Sequence, residues 1–132
     1  MVVVDTNVLL DVVNANSAWL NWSAAQMIDL GKIHALIINP IIYAELSISF
    51  ESIAEVEQSI ADMGLAMEET PREVAFLAGK AFLQYRRNGG TRTNVLPDFF
   101  IGAHAAFRAA SLLTRDARRY QAYFPTVRLI TP

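Results

Sequence analysis

Val2-Val3-Val4-Asp5 is an apolar run of strand length that stops on a carboxylate, and the arrangement returns near the far end of the chain, where Leu112-Leu113 precedes Thr114, Arg115 and Asp116. Further runs of strand length lie at 35–38 and 127–130, with a weaker one at 65–67, which predicts five short strands. Helix-like stretches at 18–30, 41–48, 52–63, 71–87, 97–110 and about 117–123 separate them, several introduced by Ser or Pro as helix starts prefer. Strands alternating with helices imply an α/β fold with a parallel sheet. Its crossovers share one hand, so the carboxyl ends of the strands line a single edge, where ligands bind at a topological switch point. Asp5 and Asp116 are both expected on that edge.

The 132 residues suffice for one domain, taken as 1–132, and are too few for two. No repeat or linker interrupts them, and Asn88-Gly89-Gly90 reads as a turn after a long helix. Hydrophobic residues make up 53% of the chain and charged ones 18%, more apolar material than a small monomer needs. A homodimer contact or a bound partner would cover the excess. The absence of cysteine removes disulfides, thiolate metal sites and thiol nucleophiles. No basic residue precedes the apolar start, which Asp5 interrupts, so it does not read as a secretion signal, and a cytoplasmic location is expected. The longest charge-free stretch, 12–28, is broken by polar residues such as Asn14, Asn16 and Asn21, and no membrane role is indicated.

Across residues 1–28, 33–50 and 93–107, the most apolar parts of the sequence, the only formal charges are Asp5, Asp11, Glu45 and Asp98, all acidic. Glu45 sits inside Ile41-Ile42-Tyr43-Ala44-Glu45-Leu46-Ser47-Ile48, where a buried carboxylate without a partner would cost several kcal/mol. Asp98 falls in the first turn of an apolar helix, whose N-terminus favours the anion. If these acids share the sheet edge with Asp5 and Asp116, any pair ~4 Å apart repels by about 4 kcal/mol at an effective dielectric of 20. A cation or proton uptake relieves that repulsion. Oxygen ligands select a hard ion, Mg2+ or Mn2+, which suits phosphodiester hydrolysis by activating a water and neutralising phosphate charge. Asp5 and Asp98 are expected as direct metal ligands, Asp116 as a direct or water-mediated one, and Glu45 as the residue that orients the attacking water. Thr6, Asn7 and Thr114 adjoin the acids and are candidates to hydrogen-bond the carboxylates or the metal waters.

The net charge is −2, but its distribution is uneven. Residues 86–128 carry eight arginines against Asp98 and Asp116, whereas residues 29–73 carry nine acids against Lys32 and Arg72. Arg86, Arg87, Arg92, Arg108, Arg115, Arg118 and Arg119 therefore give the chain the means to hold a polyanion such as RNA, with Arg115 expected to touch a phosphate. Taken singly, the acids have plainer readings: Asp98 complementing a helix dipole, Asp5 and Asp116 as turn residues, Glu45 on a solvated face. The case for a site rests on the four together. His104, about 240° round the helix from Asp98, is expected to be a packed or rim residue. His34 and the Trp19/Trp22 pair read as structural, and Asp11 as merely solvated.

Val4-Asp5-Thr6-Asn7-Val8-Leu9-Leu10-Asp11, Glu45, Asp98-Phe99-Phe100-Ile101-Gly102-Ala103-His104-Ala105 and Leu113-Thr114-Arg115-Asp116 resemble, in order, the segments of a PIN domain, especially the VapC-type toxins. The four acids are all present. Phe99-Phe100 departs from the smaller apolar residues often found after the third acid, which bears on local packing. The resemblance implies a compact sheet with helices on both sides, Mg2+- or Mn2+-dependent endoribonuclease activity, a homodimer, and inhibition by a cognate antitoxin encoded beside the gene. It further implies that the antitoxin threads a C-terminal segment along the toxin and can set a basic side chain against the acids. Arrested translation and growth would be the cellular effect.

Two other readings compete. Receiver domains and aspartate-nucleophile phosphatases also gather acids at strand ends, but the phosphatase wants an acid where this chain has Asn7, and the receiver wants a late lysine where none follows Lys80. A non-catalytic PIN-like module that binds RNA or protein is the remaining alternative.

Overall fold

The computed structural model describes residues 1–132. Strand β1 (Val2–Val4) is the middle of a five-stranded sheet ordered β3-β2-β1-β4-β5, in which β2 (Leu36–Ile38), β3 (Leu65–Met67), β4 (Ser111–Leu113) and β5 (Leu129–Ile130) all run parallel to their neighbours. Every residue of β1 and β2 is buried whichever face it points to, as a sheet covered by helices on both sides requires. Seven helices supply that cover: α1 (Thr6–Val13), α2 (Leu20–Gly31), α3 (Pro40–Ser47), α4 (Ile53–Asp62), α5 (Arg72–Arg87), α6 (Leu96–Phe107) and α7 (Ala117–Tyr123). None is long and apolar enough to cross a membrane.

The chain steps outward from β1 to β2 to β3 and then returns to place β4 on the other side of β1, with Val4 opposite Leu113. That reversal makes the carboxyl ends of β1 and β4 the switch point of the sheet. Strand bounds differ from the sequence-based expectation by a residue or two. The helix starts follow local chemistry: Asn39 caps α3 by accepting from the Ile42 amide, with Pro40 behind it, and Ser52 caps α4 by accepting from the Glu55 amide.

One helix has no counterpart in the sequence-based prediction. Residues 6–13 contain Val8, Val12 and Val13, poor helix formers, and α1 follows β1 with no turn between. Its N-cap position is Asp5, whose side chain makes no capping hydrogen bond. Burial of Val8 and Leu9 in the core drives the helix instead.

Phe99 anchors the packing beneath Asp98. It is fully buried, with the Phe82, Tyr85, Tyr123 and Phe124 rings all within 5.4–6.1 Å between centroids, so one side chain ties α5, α6 and the end of α7 together. Gly102, one turn along α6, lets the Phe124 ring approach to where a Cβ would stand only 2.4 Å from it. Replacing Phe99 by Ala is expected to cost about 3–5 kcal/mol in chemical denaturation; a loss below ~1 kcal/mol would show that this cluster does not hold the helices as described.

Candidate active site

The Asp5 carboxylate stands at the switch point, 4% exposed, and its position is fixed from several directions. Its backbone N–H donates to the Leu113 carbonyl (2.9 Å), which binds the end of β1 to the end of β4. Its Oδ2 accepts from Thr114 Oγ1 (2.7 Å), Tyr120 Oη (3.0 Å) and, more loosely, Asn7 Nδ2 (3.4 Å). Oδ1 carries no hydrogen bond and is not sealed from the neighbouring cavity. One oxygen is thus held by the protein while the other is left for a ligand.

That cavity, about 320 Å³, is walled by Asp5, Thr6, Asn7, Glu45, Asp98, Asp116 and Tyr120, with Leu10 and Ile48 at its apolar margin. All four acids singled out in the sequence therefore face one space. Asp5 arrives from β1, Glu45 from α3, Asp98 from the first turn of α6 and Asp116 from the loop after β4. Glu45 Oε1 accepts from Thr6 Oγ1 (2.7 Å), which pins it to α1. Thr114 Oγ1 accepts from the Asp116 amide (3.0 Å) while donating to Asp5, and Asn7 Oδ1 accepts from the Arg115 amide (3.3 Å). Asp5 and Asp116 both occupy N-cap positions without making the side-chain capping bond that aspartate usually makes there.

The electrostatics follow from this crowding. Burial first, then the nearby charges of Asp98 and Glu45, push the Asp5 carboxyl up to about 6 from an ordinary 3.8, against the opposing hydrogen bonds from Thr114 and Tyr120. Asp98 is also raised, by burial and by Glu45 and Asp116, although Arg119 beside it pulls the other way. Burial, with the Asp5 and Asp98 charges, lifts the Tyr120 hydroxyl well above its ordinary value, so it remains a donor to Asp5. No three of the His, Asp and Glu side chains stand in a tight cluster, and Asp98 Oδ2 accepts from Arg119 Nη1. The donor set itself is carboxylate and hydroxyl oxygen with an open Asp5 Oδ1, and it fits a hard divalent cation.

The arginines serve different purposes. Arg115, expected to touch a phosphate, is committed elsewhere: its Nε and Nη2 donate to the two oxygens of Asp11 (2.7 and 3.0 Å), and its guanidinium lies 5.1 Å from the centre of the Trp19 ring. Asp11 is accordingly not a solvated acid but 2% exposed, and it also accepts from Ser23 Oγ (2.6 Å). The pair clamps the loop carrying Asp116 onto α1. Arg86 and Arg87 are exposed at the end of α5 and line neither this cavity nor its neighbour. A second cavity of about 440 Å³ shares Asp116 with the first and is lined by Arg92, Arg118, Arg119, Tyr85 and Tyr123.

His104 is buried away from the acids. Asn39 Oδ1 accepts from the Ile42 amide, so its Nδ2 is oriented to donate to His104 Nδ1 (3.4 Å), which leaves Nε2 to donate to Glu68 (3.0 Å). His34 is exposed, and Trp19 and Trp22 pack edge to face, half-buried, beside α2. The sequence-based reading missed Tyr120 and the two groove tyrosines. The only signal for Tyr120 is its spacing of four from Asp116, which places both along the start of α7.

A parallel α/β domain with a carboxylate pocket at its switch point is the class that this geometry defines. Residues 2–125 match the PIN domain family, and the chain belongs to it. Among solved structures it is similar to a chain of VapBC2 from Rickettsia felis bound to a DNA fragment from their promoter, with 18% identity, a TM-score of 0.77 and coverage of 100% of this chain and 99% of that one. DNA-bound VapBC from Salmonella typhimurium (19% identity, TM-score 0.70, covering 98% and 96%) and VapBC-1 from nontypeable Haemophilus influenzae (19%, 0.70, 99% and 98%) share the fold as well. No curated protein sequence matches the chain.

The raised Asp5 carboxyl has a consequence for stability. Between 3.8 and about 6 the folded protein holds a proton that the unfolded chain has lost, so stability falls as pH rises through that window, and the cost is fully present above it. In metal-chelating buffer the melting temperature is expected to rise as pH is lowered from 7.5 to 5. Asp5→Asn should remove most of this slope, and a wild-type profile that is flat or slopes the other way would contradict the buried negative pocket.

Proposed function

We propose that this PIN domain is a divalent-metal-dependent endoribonuclease, the toxin of a toxin–antitoxin pair. The observation that carries the proposal is the division of labour on Asp5: Oδ2 saturated by protein donors, Oδ1 open to a cavity whose other acidic walls are Glu45, Asp98 and Asp116. A carboxylate lifted by burial and then by its acidic neighbours gains from a cation, and family membership agrees with that demand.

A bound Mg2+ or Mn2+ would supply an acidified water and neutralise charge on the phosphate. Asp5 and Asp98 would hold it, with Asp116 directly or through a water. Glu45, anchored through Oε1 by Thr6, keeps its second oxygen to orient the attacking water and accept its proton. Thr114 and Tyr120 hold Asp5 aimed and favour its anionic form, and Arg119 shares Asp98 Oδ2 with the pocket. Holding these groups before substrate arrives is what makes such a site effective.

An antitoxin partner is supported by the VapBC complexes that share the fold, and by apolar surface at the site, where Ile48 on the cavity margin is 85% exposed. Ile33, Ile53 and Phe76 are exposed elsewhere and give a homodimer or the same partner surface to cover. The second reading, a non-catalytic binding module, is favoured by the Asp98–Arg119 pair, which offsets one of the pocket's four acidic charges.

Purified antitoxin-free protein incubated with a mixed RNA pool decides between them. Cleavage is expected with Mg2+ or Mn2+, none with EDTA, and at least about 100-fold less with Asp5→Asn or Asp98→Asn, the upper end of what losing a mere supporting contact costs. Cleavage that survives both chelation and substitution would defeat the mechanism, and metal binding without any cleavage would favour the binding module.

A further inference from the structure

The cavity beside the acid pocket has the opposite character, and the two adjoin. Asp116 lines both, and Arg119 forms the partition, with its guanidinium in the second cavity's wall and Nη1 on Asp98. On the far side of that partition stand Arg92 and Arg118, both exposed and neither paired with a carboxylate. Their positive charge is unspent, unlike that of Arg115 and Arg119. Tyr85 and Tyr123 supply an aromatic wall, half-buried and edge to face with centroids 6.0 Å apart. Arg92 does not hang freely in this groove. Its backbone N–H donates to Tyr85 Oη (3.1 Å), and Gly90 packs so closely on the Tyr85 ring that a Cβ there would lie 2.3 Å from it. The loop that carries Arg92 is therefore fastened to the end of α5.

Unpaired guanidinium groups lining one groove with aromatic rings are what single-stranded nucleic acid is held by: cations follow the backbone, and rings meet the unpaired bases or riboses. A duplex offers the groove its phosphates but hides its base faces. The volume, about 440 Å³, falls within the range that encloses a small-molecule-sized ligand. We infer that this groove is a subsite for single-stranded RNA, which seats the nucleotide next to the scissile linkage with its phosphate between Arg92 and Arg118 and its base or ribose along Tyr123. The inference rests on the nuclease reading of the acid pocket for which linkage is cut, but not for whether RNA binds in the groove.

Binding is measured by fluorescence anisotropy of a fluorescein-labelled 12-nucleotide single-stranded RNA, with EDTA present so that cleavage does not intervene, over a series of salt concentrations. Arg92→Ala/Arg118→Ala is expected to weaken binding about tenfold or more at low salt and to flatten the log–log salt dependence by about 0.7, the value for the one phosphate held between them. Arg72→Ala/Arg128→Ala removes the same charge away from the groove and should change neither quantity more than about twofold. Tyr123→Leu should weaken binding several-fold without altering the salt slope, in a protein whose melting curve confirms that it is folded. The subsite is overturned if the Arg92/Arg118 variant binds as wild type does, if the Arg72/Arg128 variant weakens binding equally, or if an unlabelled blunt RNA duplex of the same length competes as well as the single strand. Failure of the acid pocket to cleave would leave these anisotropy results standing, and normal cleavage of a bulk RNA pool would not rescue a groove that fails them.

Discussion

A carboxylate closes the most deeply buried strand of this fold, and the surroundings of Asp5 answer that constraint. Its amide belongs to the sheet, bonded to Leu113, while its side chain is held from α7 by Tyr120 and from the end of β4 by Thr114. An unsatisfied charge at such a depth would cost several kcal/mol. Three donors on one oxygen reduce the penalty without abolishing it, because burial outweighs them and Asp98 and Glu45 add negative charge from α6 and α3. Hydrogen bonding fixes where the carboxylate points, and the residual repulsion makes the pocket receptive to a cation.

The basic residues complete the electrostatic plan in three ways. Arg115 is structural, spread across Asp11 and Trp19 so that the loop bearing Asp116 is clamped to α1. Arg119 is shared, neutralising Asp98 from the side facing the second cavity. Arg92 and Arg118 are uncommitted and lie outermost. Negative potential at the centre and positive potential at the margin is the arrangement expected where a polyanion must be drawn in and a cation retained. Neither a net charge of −2 nor a count of arginines expresses it.

Fold and activity are separate inferences for this protein. The parallel sheet with its reversal between β1 and β4 accommodates many chemistries, and likeness to the VapBC structures carries the architecture alone. Chemistry is read from particular atoms: Asp5 Oδ1 left open, Glu45 tied by one oxygen only, and two aspartates at helix N-caps that leave the capping bond unmade. A structural role for Asp5 and Asp116 as caps would have used those bonds. Their side chains line the cavity instead.

The order of strands and helices was legible in the sequence because it is written in local terms: apolar runs of two to four residues, Ser52 before a helix, Pro40 and Pro97 at helix starts. The four acids were legible because a charge in an apolar stretch is conspicuous wherever it falls. Helix α1 was not, since its valines favour other conformations and its cap residue does not cap; only burial of Val8 and Leu9 explains it. The fate of each arginine was equally hidden. Arg115 meets Asp11 across 104 residues, and Arg119 meets Asp98 across 21. Sequence therefore determined which acidic side chains the chain carries and on what kind of scaffold, through propensity and hydrophobic pattern. Tertiary structure alone decided which charges are spent on holding the fold and which remain free, because pairing depends on distances that the order of residues does not contain.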